Sequence, residues 1–183
     1  TIRKIADAGF TVIDGGNEPP RMMFHMERFV HINRFLNDYY RNYRFVITTD
    51  VRDVIFQKDP MEYLSHIITR NSGYELIGVS ECIKIKDEHW NRDNILKCFG
   101  PYFYEDVKDY EVLNVGTLAG LSHVVCDLCG MLYQLSMNRA DWVADQAAYN
   151  ILDYDRPNHD PLAQTFMIQK DNYPNGMFIN SVK

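Results

Sequence analysis

An α/β domain with a mostly parallel central sheet, flanking helices and a small late hairpin is the fold this sequence predicts. Three observations predict it. Short apolar runs of strand type recur along the 183 residues. Longer stretches with apolar residues at helical spacing lie between them. Turn-forming residues punctuate the boundaries, and no internal repeat, low-complexity tract or linker interrupts the series. Strands that alternate with helices favour parallel pairing through crossovers, which needs cover on both faces of the sheet. A single domain over residues 1–183 follows.

Thr1–Ala8 reads as the end of an amphipathic helix stopped by Gly9, and Phe10–Ile13 (FTVI) as a short apolar strand. Asp14–Pro20 (DGGNEPP) is turn-rich. From Met22 to Tyr40, Met22, Met26, Phe29, Val30, Phe35 and Leu36 recur at helical spacing. Arg44–Thr48 (RFVIT) is a compact strand, and Asp59-Pro60 opens a helix with proline in its first turn. Tyr74–Val79 (YELIGV) is another buried-type strand, and Glu81–Gly100 a polar, aromatic loop leading into a helix. Glu111–Leu113 predicts a strand, followed by a tight corner carrying Gly116 and Gly120. Helices follow over Ser122–Ser136 and Asp141–Leu152, the second with Asp141 as N-cap. Asp153–Pro161 reads as loop. Ala163–Gln169 and Met177–Ile179 read as a hairpin around Asn175-Gly176.

Composition narrows the function. Hydrophobic residues make up 46% and charged residues 24% of the chain, enough for a core without metal or disulfide staples. The formal net charge is −6 and no dense Lys/Arg run exists, which argues against binding nucleic acid through its phosphates. A phosphate-bearing ligand would need local features: a bound cation, a helix N-terminus or one Arg. Of Cys82, Cys98, Cys126 and Cys129, only the last two form a CxxC, and no second pair completes a zinc site. Their apolar, helical surroundings predict buried thiols, and nothing requires an oxidising compartment. No apolar run reaches membrane-spanning length. The six histidines form no HExxH pair, which argues against a zinc hydrolase.

The most informative stretch is Tyr43–Pro60, YRFVITTDVRDVIFQKDP, where an apolar strand runs into Asp50 and Asp53. In open α/β sheets ligands bind beyond the carboxyl ends of strands. Two carboxylates there repel unless a cation or an Arg sits between them, and Mn²⁺ or Mg²⁺ suits such oxygen ligands. A structural alternative has Asp50 capping a turn and Asp53 paired with Arg52 or another surface Arg.

This stretch resembles the DxD segment of GT-A glycosyltransferases, in their glycogenin-like and lipopolysaccharide-galactosyltransferase-like branches. Aligning Val54–Phe56 with the family's apolar triplet puts Asp53 at the second Asp of DxD and Val51 at the first. Asp50 falls one residue early, so the motif is D-x-x-D. Two further segments match in order. Leu113–Gly120 (LNVGTLAG) resembles the family's asparagine-glycine segment beside the donor sugar, with Asn114 offering donor and acceptor groups and Gly116 admitting close backbone approach. Asp145-Gln146, with Asn150 four residues on, resembles the DQ-x-x-x-N segment at the reaction centre. Arg28 (HMERF) resembles the helical Arg that neutralises diphosphate or positions the donor sugar.

The resemblance implies a single Rossmann-like GT-A domain, with two alternatives for its start: the family's first strand lies outside the chain, as its C-terminal tail would, or the strands pair differently. It implies catalytic roles for Asp145 and Gln146, and donor contacts from Asp50, Arg28, Asn114 and Gly116. Asp53, Asp50 and a C-terminal histidine, for which His159 is the candidate, would bind Mn²⁺ or Mg²⁺. Trp90 and Asp87 lie where such enzymes bind the acceptor. The activity implied is transfer of a hexose from a nucleotide-sugar donor, a UDP-sugar, to a glycan or glycoprotein acceptor. Two rivals stand beside it: a non-catalytic nucleotide-sugar-binding module, and a metal-dependent phosphohydrolase or nucleotidyltransferase built on Asp50 and Asp53.

Overall fold

The computed structural model describes residues 2–13, 24–50, 54–56, 58–69, 73–137, 139, 143–154, 168–172 and 178–180. Helix α1 (Ile2–Asp7) buries no side chain. Helix α2 (Phe24–Tyr39) buries Met26, Phe29 and Leu36, three of its apolar positions, on one face. Strand β1 (Phe45–Thr49) follows, then β2 (Val54–Phe56) and α3 (Pro60–Ile67). Asp59 caps α3 by accepting from the Met61 N–H at 2.8 Å, and Pro60 supplies a first-turn φ without a donor to satisfy. Strand β3 (Leu76–Lys84) leads through a short 3₁₀ turn into α4 (His89–Phe99) and α5 (Pro101–Val107). Strand β4 (Glu111–Leu121) runs into α6 (Ser122–Ser136), and α7 (Ala144–Tyr154), β5 (Ile168–Asn172) and β6 (Phe178–Asn180) complete the order.

The main sheet has the order β1-β4-β3-β5. Strand β4 is antiparallel to both β1 and β3, whereas β3 and β5 are parallel. Strands β1, β3 and β5 therefore run one way, and one reversed strand sits between two of them. The architecture is α/β as predicted, but two of the three described pairings are antiparallel, so the expected mostly parallel pairing is not observed. The reversal of β4 alone accounts for that, because an inner reversed strand makes both of its ladders antiparallel.

Both faces of this sheet are covered. On one face Phe29 and Leu36 of α2, Leu128 and Leu132 of α6 and Tyr149 of α7 pack with Leu113 and Leu118 of β4. On the other, Leu64 and Ile68 at α3 pack with Phe45, Ile77 and Ala119. A third cluster joins α4, α5 and α7 through Ile95, Val107 and Ile151 around Val112. The cysteines meet the expectation of thiols: all four are free, Cys126 and Cys129 are buried, and burial pushes Cys129 up to about 12.

Four expected elements differ. Phe10–Ile13 carries no strand, and Phe10, Val12 and Ile13 are exposed. The expected corner at Gly116 and Gly120 is instead the interior of the 11-residue strand β4. These glycines serve close approach: a Cβ on Gly120 would stand 2.5 Å from the Glu75 carbonyl, and one on Gly116 would stand 2.5 Å from Asp50 Oδ2. Strands β5 and β6 do not form a hairpin with each other. The first joins β3 in parallel, and the second pairs antiparallel with β2 in a separate two-stranded sheet. Asp153 and Tyr154, expected in a loop, belong instead to α7, which runs on to Tyr154. The Asp14–Pro20 turn, the Asp141 cap, the rest of the Asp153–Pro161 loop and the Asn175-Gly176 turn lie outside the described residues.

Candidate functional site

A cleft of about 430 Å³ opens where β1 ends beside the middle of β4. Its lining draws on six elements: His25 and Arg28 come from α2, Asp50 follows β1, Glu81 is on β3, Glu88, Trp90 and Asn91 are at the start of α4, and Asn114, Val115 and Gly116 are on β4. Val143, Asp145 and Gln146 add the beginning of α7. The cleft lies beyond the carboxyl end of β1, the position at which open α/β sheets bind ligands.

The Asp50 N–H bonds the Gly116 carbonyl at 2.8 Å, which holds the end of β1 against β4 after their ladder finishes at Thr49 and Thr117. Asp50 Oδ1 accepts from Arg28 Nη1 at 2.5 Å, and Asp145 Oδ2 accepts from Arg28 Nη2 at 3.1 Å. One guanidinium thus joins α2, β1 and α7, using the forked geometry that suits arginine to two carboxylates. Asp145 is almost fully buried, and its Oδ1 has no hydrogen-bond partner. Arg28 Nε is likewise buried without a partner.

Gln146 is buried and fully engaged: Oε1 accepts from the Val115 N–H at 2.8 Å, and Nε2 donates to the Leu113 carbonyl at 2.7 Å. Asn150, one helical turn on, accepts from the Leu113 N–H at 2.8 Å and donates to the Leu113 carbonyl at 2.9 Å. The register of β3 against β4 shifts between Gly78 and Val79. Near that irregularity the two amides take main-chain groups of β4, as buried backbone requires. The spacing of Gln146 and Asn150 is therefore one face of α7 reading the β4 backbone. On this geometry Gln146, which also lines the cleft, anchors the start of α7, and with it Asp145, to the β4 backbone.

Asn114 lines the cleft, but its side chain is bridged: Nδ2 donates to Glu81 Oε1 at 2.9 Å, and Oδ1 accepts from the Gly116 N–H at 2.7 Å. Although Glu81 is exposed as a residue, desolvation raises its carboxyl pKa above the ordinary value, against the lowering bond from Asn114. Partial burial pushes Glu88 the same way. The N–H groups of Asn91 and Trp90 outweigh it and hold Glu88 below the ordinary value. Those bonds, at 2.7 and 3.2 Å, make Glu88 the N-cap of α4.

The structure brings Arg28, Asp50, Asn114, Gly116, Asp145, Gln146 and Trp90 to one cleft. Asp87 is not among its lining residues; it occupies the 3₁₀ turn Ile85–Asp87 and is exposed. Asp53 and His159 lie outside the described residues. The sequence reading missed His25, Glu81, Glu88 and Asn91. The usable signal for Glu88 was a carboxylate just before a helical stretch, the pattern of a cap; nothing local distinguishes Glu81.

Among the described residues no three His, Cys, Asp or Glu side chains come close enough to hold a metal ion. The donor chemistry of the cleft is oxygen-rich, with four carboxylates and no thiol, which suits Mg²⁺ or Mn²⁺ rather than a soft metal. No helix of the described residues is long and apolar enough to cross a membrane. No protein-family model matches the chain, and no curated protein matches it.

Proposed function

We propose that this chain is the catalytic domain of a metal-dependent glycosyltransferase that moves a hexose from a nucleoside diphosphate sugar, a UDP-sugar, to a glycan or glycoprotein acceptor. The observation that supports this most is convergence. Arg28, Asp50, Asn114–Gly116 and Asp145, read from four separate stretches, line one cleft beyond the end of β1. In this reading Asp50 and Asp53 hold Mn²⁺ or Mg²⁺. The bound cation would offset the charge that develops on the departing diphosphate. Arg28 keeps Asp50 and Asp145 in fixed relation and adds a positive charge on the donor side. Asp145 faces the cationic character that glycosyl transfer develops on the sugar ring. Gln146 and Asn150 fix the helix that carries Asp145 to Leu113 of β4.

The D-x-x-D spacing favours one second reading, a module that binds nucleotide sugar without transferring it. Thermal unfolding with Mn²⁺ and a panel of nucleotides and nucleotide sugars tests both. Ligand at a hundred times Kd stabilises the fold by about 2.7 kcal/mol. Protection by one nucleoside diphosphate, abolished by EDTA and in D53A, is the expected result. Protection without release of sugar from any donor selects the binding module, and no protection by any nucleotide refutes both readings.

A further inference from the structure

The wall of the cleft formed by β3 and α4 presents hydrogen-bond acceptors around an exposed tryptophan. Glu81, Glu88 and Asn91 line it, and Trp90 beside them is 47% exposed. Asn91 is only 4% exposed; its Nδ2 donates to Glu88 Oε2 at 2.9 Å, while its Oδ1 has no partner. Flipping the amide would set oxygen against a carboxylate, so the unpartnered atom is the carbonyl.

The Arg28 guanidinium of the cleft is engaged away from this wall. Arg28 is bound to Asp50 and Asp145, and Asp50 and Glu81 lie on opposite sides of β4. Two strand spacings, about 10 Å, separate the backbones at such positions, and the Asn114 side chain stands between the two carboxylates. The Nδ2 donor of Asn114 is already spent on Glu81.

We propose that this wall is the acceptor subsite, and that it selects uncharged or aminated sugar rings and rejects anionic ones. The assignment rests on the transferase reading. The face of Trp90 stacks on the C–H face of a sugar ring. Ring hydroxyls, or an ammonium group, donate to Glu81 and Glu88. A carboxylate on the ring meets two carboxylates, and like charges brought together weaken binding strongly.

Quenching of tryptophan fluorescence in the full chain, titrated with methyl glucoside, methyl glucosaminide and methyl glucuronide, tests this. The neutral and amino sugars should bind, and the glucuronide should bind at least about tenfold more weakly. E81Q, which keeps an oxygen for Asn114, should narrow that gap several-fold; W90A, followed by ligand NMR, should lose all three sugars. Equal or tighter binding of the glucuronide overturns the proposal, as does unchanged sugar binding in W90A. Nucleotide protection reports the donor side separately. Ring selectivity without nucleotide protection would overturn the transferase reading and with it the acceptor role. Nucleotide protection without ring selectivity overturns the acceptor subsite alone.

Discussion

Glu81 and Glu88 line the same cleft yet answer acid in opposite ways. Desolvation places the Glu81 carboxyl above its ordinary value of 4.5, and helix-capping bonds hold Glu88 below it despite partial burial. A lowered carboxyl binds fewer protons folded than unfolded, so Glu88 stabilises the fold above 4.5, and this is lost as pH falls through its folded value. A raised carboxyl does the reverse. The stability tied to Glu81 is present below 4.5 and is lost as pH rises through its folded value. At about pH 7 the urea midpoint of E88Q should therefore fall below that of the parent protein, and that of E81Q should rise above it. Both differences should shrink in acid. An E81Q midpoint below that of the parent at neutral pH would show that the Glu81 charge supports the fold. The expected sign suits a ligand-facing group, whose charge serves binding at a cost to stability.

At the scale of elements, the joint between α7 and β4 controls the geometry of the cleft. Asn150 is fully buried, and the N–H of Leu113 has its Oδ1 as acceptor. N150A leaves that N–H without its partner and should cost about 1–3 kcal/mol. N150D keeps an acceptor for the N–H but turns a carboxylate towards the carbonyls of Leu113 and Gln146, so it should cost more than N150A. Urea unfolding of both variants with an unchanged m-value checks the order. The sequence showed this joint only as a motif: the D-Q-x-x-x-N spacing was legible, but its use on the β4 backbone was not. Helix α6 was legible end to end, because its apolar positions follow one period from Ser122 to Ser136. The reversal of β4 was hidden, since a short buried strand carries the same apolar pattern in either direction. Gly116 and Gly120 were misread as a corner because glycine marks close backbone approach as readily as a turn. The partners of β5 and β6 were equally hidden: an Asn-Gly dipeptide encodes a turn, not which strands the chain joins on either side of it.

Across the whole molecule, β4 belongs to every core. Leu113 and Leu118 sit in the cluster with α2 and α6, Val112 in the one with α4 and α5, and Ala119 in the one with α3. Freeing the amides of β4 from both neighbouring ladders requires all three clusters to come apart, which amounts to global unfolding. Helix α1 is the opposite extreme. Its six residues bury nothing, and the Phe10–Ile13 segment after it is exposed and outside any ladder. A helix that short has little stability of its own in water, and packing is what holds most helices together. Native-state hydrogen exchange should therefore split the chain: amides of α1 exchange at nearly unprotected rates, while Leu118 and Ala119 exchange only through global unfolding. Added urea should accelerate Leu118 and Ala119 with the slope of global unfolding and leave α1 unaffected. Protection of α1 equal to that of β4 would mean that α1 docks on the rest of the fold. Sub-global opening of β4 would mean that the three clusters unfold independently, and Asn114 and Gly116 would then not rest on a rigid strand.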